Sequence, residues 1–213
     1  MKKVSVLITG LPGQVATDIL DYLYNEKTFK ITAIYRNKNN LKNKYKKVSW
    51  KMMDLSENIN LKSQFDIIIN CIAVHNFSRN RELGDYYKSN VLVIRNLSDF
   101  AKKNKIKYII NLSTISIYGN IKDKVLSENY KPLNPDILGI TKNAGEKILE
   151  HSNIKFLNLR LPGVLCKKKN SSRPWLSSVI KKFQDNKKIE VFNKDSVFNN
   201  VIDTKEIVRF ILF

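Results

Sequence analysis

The chain has 213 residues, enough to bury the core of one domain of ordinary size. Hydrophobic residues make up 43% of it, yet no apolar run approaches the roughly 18 residues of a spanning helix, so a membrane segment of that kind is excluded. Lys and Arg total 38 against 19 Asp and Glu, a formal +19, which suits nucleic acid, an acidic membrane surface or phosphorylated small molecules. Lysine and asparagine are spread along the whole chain, as translation of an A/T-rich genome would give, so the charge is read as dispersed rather than as one basic face.

In chain order, "KVSVLIT" reads as a strand; its apolar stretch is too short for a secretory leader, so export is not expected. The helix "GQVATDILDYLYN" follows, then the strands "KITAIY", "VSWKMM" and "DIIINCI". A helix over 84–104 has Tyr87, Val91, Val93, Leu97 and Phe100 on its packed face and Lys88, Arg95 and Lys102 in water. The strand "KYIINLS", a helix over 135–150 and the strand "KFLNLRL" complete the regular part. Strands apolar on both faces, alternating with helices, predict an α/β doubly wound parallel sheet, the Rossmann fold. Past Leu161 the rhythm changes: "PGVLCKKKNSSRPW" reads as loop, "LSSVIKKFQD" as helix, "KIEVF" as a short strand, then "NNVID" and a helical "TKEIVRFILF" with no polar stop. The expected organisation is a dinucleotide-binding domain over 1–165 and a short or truncated C-terminal substrate subdomain over 166–213. Cys71 and Cys166 have neither metal-site nor disulfide spacing, and His75 and His151 have no spaced partner; no metal is expected, and a reducing cytoplasm fits.

The strongest chemical signal is "VLITGLPGQVATDIL". Gly10 permits a tight turn, Gly13 lets backbone approach a pyrophosphate, and Ala16 packs helix on strand, while Gln14 and Val15 open the helix whose N-H groups bind the anion. At the end of the second strand, "IYRNKNN" has no acidic residue for a ribose 2'-hydroxyl. Arg36, with Lys38 nearby, suits a 2'-phosphate instead, which favours NADP over NAD.

These landmarks together resemble the extended short-chain dehydrogenases, the NAD(P)-dependent epimerase/dehydratase family that works on nucleotide-linked sugars. The likeness rests on "TGLPGQVA", Asp54-Leu55, "INCIA", Asn90, "STISIYG", "LNPDILGITKNAGE" and "LRLPGV"; "GQV" and "GITKNAGE" are also similar to the sugar-nucleotide ketoreductases such as dTDP-4-dehydrorhamnose reductase. The resemblance implies that Asp54 accepts from the adenine amino group and Leu55 packs near the ring. It implies that Ile72 and Ala73 line the cofactor, that Asn90 belongs to the site, and that Pro162 to Val164 lie near the nicotinamide. Thr114 would hydrogen-bond the reacting oxygen, and Lys142 would bind the nicotinamide ribose. Lys167, Lys168, Lys169 and Arg173 stand where the family often meets the substrate diphosphate, although solvated loop lysines are the preferred reading of them.

One position departs. The family pattern is Tyr-x-x-x-Lys, and here Leu138 stands one helical turn before Lys142, on the same face. Leucine carries no proton, which removes general acid-base help of about 100- to 10,000-fold; Tyr118, Tyr130 or a water on Lys142 are the imaginable substitutes. The leading expectation is an NAD(P)-dependent oxidoreductase with a nucleotide-sugar substrate, epimerase, dehydratase or ketoreductase, with a homodimer open. The alternative is a catalytically impaired cofactor-binding sensor or partner protein. Nucleic-acid binding ranks below both, because the chain lacks the aromatic and basic pattern of RNA-binding modules.

Overall fold

A computed structural model describes residues 3–37, 40–62, 64–74, 81–123, 125–166, 174–190 and 201–212. The chain runs β1 (Val4–Leu11), α1 (Gln14–Asn25), β2 (Phe29–Tyr35), α2 (Leu41–Lys44), β3 (Ser49–Met52), β4 (Ile67–Asn70), α3 (Leu83–Tyr87), a π-helical turn (Lys88–Leu92), α4 (Val93–Lys103) and β5 (Tyr108–Thr114). A 3-10 turn (Ile115–Tyr118), α5 (Ile137–Glu150), β6 (Phe156–Leu161), β7 (Gly163–Leu165), α6 (Pro174–Gln184), β8 (Val201–Asp203) and α7 (Thr204–Leu212) follow.

Six strands form one sheet in the order β3-β2-β1-β4-β5-β6, and every neighbouring pair is parallel. The order reverses between β1 and β4, which opens a crevice at the carboxyl ends of the strands where α/β sheets bind ligands. Val6, Ile8, Ile19, Leu20 and Leu23 fill the core on one face, and Leu7, Ile68, Leu97 and Ile109 fill it on the other. Both faces are covered, as the uninterrupted apolar strands required.

A buried polar ladder crosses the sheet. Thr9 donates to Asn70 (2.8 Å), Asn70 to Asn111 (3.0 Å) and Asn111 to Asn158 (2.9 Å). The register sets Asn70 beside Asn111 and Asn111 beside Asn158. A one-residue slip would leave these amides unpaired in the core, so the ladder penalises wrong registers.

The structure corrects three expectations. The helix over 84–104 holds the π-helical turn, which rotates the faces on either side of it relative to each other. Tyr87 is therefore 50% exposed and Tyr86 is the buried neighbour. Within the expected loop after Leu161, residues 163–165 form β7, paired in parallel with β8. "KIEVF" forms no strand at 188–190, and Val191 and Phe192 lie outside the described residues. The last helix packs on the first: Ile207 and Val208 share the core that holds Ile19, and Thr204 donates to Asp18 at 2.9 Å.

Candidate functional site

Gly10, next to last in β1, has φ +85°, and a Cβ there would sit 2.7 Å from the Cys71 carbonyl carbon. Only glycine allows both that conformation and that closeness of the β1 and β4 ends. A Cβ on Gly13 would lie 2.6 Å from the Gly10 oxygen, which already accepts from Gly13 N at 2.8 Å. No side chain caps the N-terminus of α1 and no acidic residue stands in its first turn, so the positive end of the helix faces the crevice unopposed.

That crevice is a cleft of about 430 Å³. Gly10, Gly13, Gln14 and Val15 line it at the phosphate loop, Arg36 at the end of β2, Asp54 and Leu55 after β3, and Ile72 and Ala73 after β4. Asp54 accepts from Ser56 through backbone N (2.9 Å) and hydroxyl (2.8 Å). Partial burial opposes its ionisation, but those two bonds and the nearby Arg36 and Lys88 outweigh it and hold the carboxyl below its ordinary range. Arg36 lies 3.9 Å from Asp54 and is more than half exposed, free enough to reorient; Lys38 falls outside the described residues. A carboxylate that stays ionised and an exposed guanidinium at the end of β2 fit an adenosine with its ribose, and the glycine cradle fits a pyrophosphate.

The lysine and threonine stand deeper. Lys142 is only 3% exposed, and its ammonium donates to the carbonyls of Ile72 (2.9 Å) and Leu112 (2.8 Å). Burial pulls its pKa down to about 8, against the opposing influence of Cys71 and Glu146. The same burial pushes the Cys71 thiol up to about 12. Thr114 closes β5 and caps the 3-10 turn, accepting from Ser116 N (3.2 Å) and donating to Ser116 Oγ (3.1 Å). Neither Lys142 nor Thr114 is among the residues lining the cleft. Asn90 is buried as well and ties the segment after β4 to α5: it accepts from Val74 N at 3.4 Å and donates to Thr141 at 3.0 Å. That is a positioning role.

Leu138, 7% exposed, packs with Val74, Tyr86 and Ile137 in a small cluster of its own. Of the three imagined substitutes, the two tyrosines are engaged in other contacts. Tyr118, 5% exposed, accepts from Arg160 at 2.9 Å and donates to the Ser127 carbonyl at 3.3 Å, and Tyr130 packs edge-on to it while accepting from Lys122 N at 3.4 Å. Pro162 lines a second hollow, of about 490 Å³, between β6 and α7 rather than the cleft. Val164 sits in the core beside Ile207 and Val208. His151 is exposed, with Nδ1 2.8 Å from the Lys147 carbonyl; His75, Lys167, Lys168, Lys169 and Arg173 lie outside the described residues.

Sequence reading missed two groups. Arg81, Lys88 and Ser89 line the cleft; Lys88, the first residue of the π-helical turn, is exposed as expected and borders the cleft from there. One turn beyond Lys142, the fully buried Glu146 receives a forked contact from Arg160, at 3.1 Å from Nε and 2.8 Å from Nη2. Arg160 also donates to the Glu128 carbonyl at 2.7 Å, so one guanidinium joins α5, β6 and the segment after the 3-10 turn. A carboxylate four residues after the lysine was the available signal.

The family model described as "NAD dependent epimerase/dehydratase family" matches residues 6–213. A search of curated proteins finds no match. Among solved structures, the chain is similar to UDP-glucuronic acid 4-epimerase from Bacillus cereus, crystallised with NAD: TM-score 0.81, 18% identity, 98% of this chain and 72% of that one. UDP-N-acetylglucosamine 4-epimerase from Methanobrevibacter ruminantium, in complex with UDP-N-acetylmuramic acid, gives 0.81 at 20% identity over 98% and 72%. The Bordetella bronchiseptica enzyme WbmH, in complex with NAD+, gives 0.80 at 18% identity over 99% and 71%. At these identities the likeness establishes the fold.

Proposed function

Because the chain belongs to the NAD dependent epimerase/dehydratase family, we propose that it is an oxidoreductase that binds NAD or NADP and acts at a sugar carbon of a nucleotide-linked sugar. The cleft carries this reading: the glycine cradle, the bare α1 N-terminus, Asp54 held ionised and the apolar Ile72 and Ala73 converge on one elongated crevice. When bound there, the nicotinamide would supply the hydride acceptor or donor. On the protein's side, the phosphate loop binds, Asp54 and Leu55 orient the adenosine, and Thr114 offers its hydroxyl to the reacting oxygen. Lys142 holds the ribose side once it leaves one of its two carbonyl partners. Arg36 supports NADP by its chemistry, while the solved neighbours that name a nicotinamide cofactor name NAD.

Leu138 sets the rate of such a reaction. Without a phenol at that place, the proton that accompanies the hydride has no protein carrier beside Lys142, so turnover is slow by about two to four orders of magnitude against a tyrosine enzyme. A second reading draws on the same residues: with Leu138 packed into a cluster and Lys142 hydrogen-bonded to backbone, the chain suits a cofactor-binding sensor or partner protein.

Turnover separates the two. Incubation with NAD or NADP and a panel of UDP- and dTDP-linked sugars, including 4-keto forms, is followed by reduced-nicotinamide absorbance and by chromatography of the sugar nucleotides. Slow conversion of at least one substrate is expected. Bound cofactor with no conversion across the panel sinks the enzyme reading and leaves the sensor.

A further inference from the structure

Because all six strands of the main sheet are parallel, every segment that leads into a strand emerges at one edge, opposite the cleft. Each of those segments carries an exposed lysine: Lys3 before β1, Lys30 at the start of β2, Lys47 before β3, Lys62 before β4, Lys105 before β5 and Lys155 before β6. The fold thus brings to one edge six cations that are scattered in the sequence. Among the described residues none of these six has an ion-pair partner. Elsewhere some exposed cations are matched, as in Lys44 with Asp21, Arg81 with Asp85, Arg95 with Asp99 and Lys147 with Glu150, and others, such as Lys51, Lys122 and Lys131, are exposed with no ion pair among the described residues. The acids near this edge do little to offset it. Asp66 is engaged by Lys107 at 3.1 Å and by Ser5 N at 2.9 Å, Glu150 by Lys147 at 2.6 Å, and Glu26 is left exposed.

We propose that this edge is a docking surface for an anionic phospholipid bilayer, against which the protein lies with its cleft facing away. Charge complementarity commits the face to a polyanion, and its shape selects among polyanions. The lysines come one from each of six strands spaced about 4.8 Å apart, so they spread over a front about 24 Å wide. A broad spread of single cations, each reaching outward on a flexible stem, suits a plane of lipid headgroups. Single-stranded nucleic acid asks for a groove and a row of stacking aromatics, whereas this edge shows Tyr108, 43% exposed, beside Lys107. No helix among the described residues is long and apolar enough to cross a membrane, so the contact is peripheral and electrostatic.

Co-sedimentation of the full chain with vesicles tests this. Vesicles of phosphatidylcholine alone are compared with vesicles in which about a third of the lipid is phosphatidylserine, using the wild type and two triple variants of equal net charge. One reverses the face (Lys30→Glu, Lys62→Glu, Lys155→Glu); the other reverses three exposed lysines away from the strand lead-ins (Lys51→Glu, Lys122→Glu, Lys131→Glu). The three Lys→Gln changes on the face serve as a milder form, and circular dichroism checks folding in each. Each basic residue near such a surface adds roughly fivefold, so the face variant should lose roughly 100-fold in partitioning. The control variant should lose less than about fivefold, and added salt should release the wild type. No preference for anionic vesicles overturns the proposal, as does an equal loss in both variants, which would assign binding to overall charge. Oligonucleotide binding that the face variant loses, with no vesicle binding by the wild type, overturns it in favour of nucleic acid.

Discussion

Replacing Leu138 by tyrosine should turn a poor catalyst into a competent one. Position 138 lies one turn before Lys142 on α5, so a phenol there shares the lysine's face. A positioned acid-base group is worth about 100- to 10,000-fold, or about 3 to 5 kcal/mol of barrier. The ring must enter the cluster of Val74, Tyr86 and Ile137, and overpacking a filled site costs about 1 to 3 kcal/mol. For a chain of this size that lowers Tm by roughly 2 to 12 °C. Initial rates with reduced cofactor and a 4-keto sugar nucleotide measure the gain, and Leu138→Phe imposes the same packing burden without the hydroxyl and should gain nothing. A folded Leu138→Tyr variant that binds cofactor, yet is no faster than Leu138→Phe on any substrate of the panel, would refute the view that residue 138 is the missing proton carrier.

Three further outcomes rest on other parts of the site. Arg160→Leu strands the fully buried Glu146 carboxylate, which should cost about 3 to 5 kcal/mol by denaturant melting, whereas the double variant with Glu146→Leu should recover much of that loss; equal damage in both would deny the pairing. Gly13→Ala places a Cβ 2.6 Å from the Gly10 oxygen and should abolish cofactor binding by titration calorimetry while the apo fold persists. The third outcome concerns pH. Since Lys142 drops from 10.5 to about 8 on folding, the unfolded chain holds the extra proton between those values and stability should rise with pH across that window, by roughly 3 kcal/mol in all. Lys142→Met should flatten that part of the stability profile; an unchanged slope would mean the ammonium keeps its ordinary affinity for the proton.

The sheet was legible because buried parallel strands are apolar on both faces, so β1, β2, β4 and β5 announce themselves by runs rich in Val, Ile and Leu, while the edge strand β6 ("FLNLRL") is half-buried throughout. The phosphate loop was legible for a different reason: turn geometry and close approach at Gly10 and Gly13 admit few residue types, so chemistry leaves a mark in the letters. The π-helical turn at 88–92 left no such mark, since one extra residue per turn disturbs a helical pattern no more than ordinary noise. That is why periodicity places Tyr87 inside, where the structure exposes it. Long-range partners were equally hidden. Nothing local in "GITKNAGE" says that Lys142 is held by the carbonyls of Ile72 and Leu112, or that Arg160 comes to meet Glu146. β7 is too short to show a period at all, and only its pairing with β8 makes it a strand.

Melting the purified chain with and without NAD and NADP tests the dinucleotide site most directly. A ligand held only by the native state at about 100 times its Kd adds about 2.7 kcal/mol, which should raise Tm by roughly 5 to 10 °C. The expected result is a rise of that size with at least one of the two cofactors and no rise in the Gly13→Ala variant. A wild-type Tm that neither cofactor moves would contradict the assignment of the cleft.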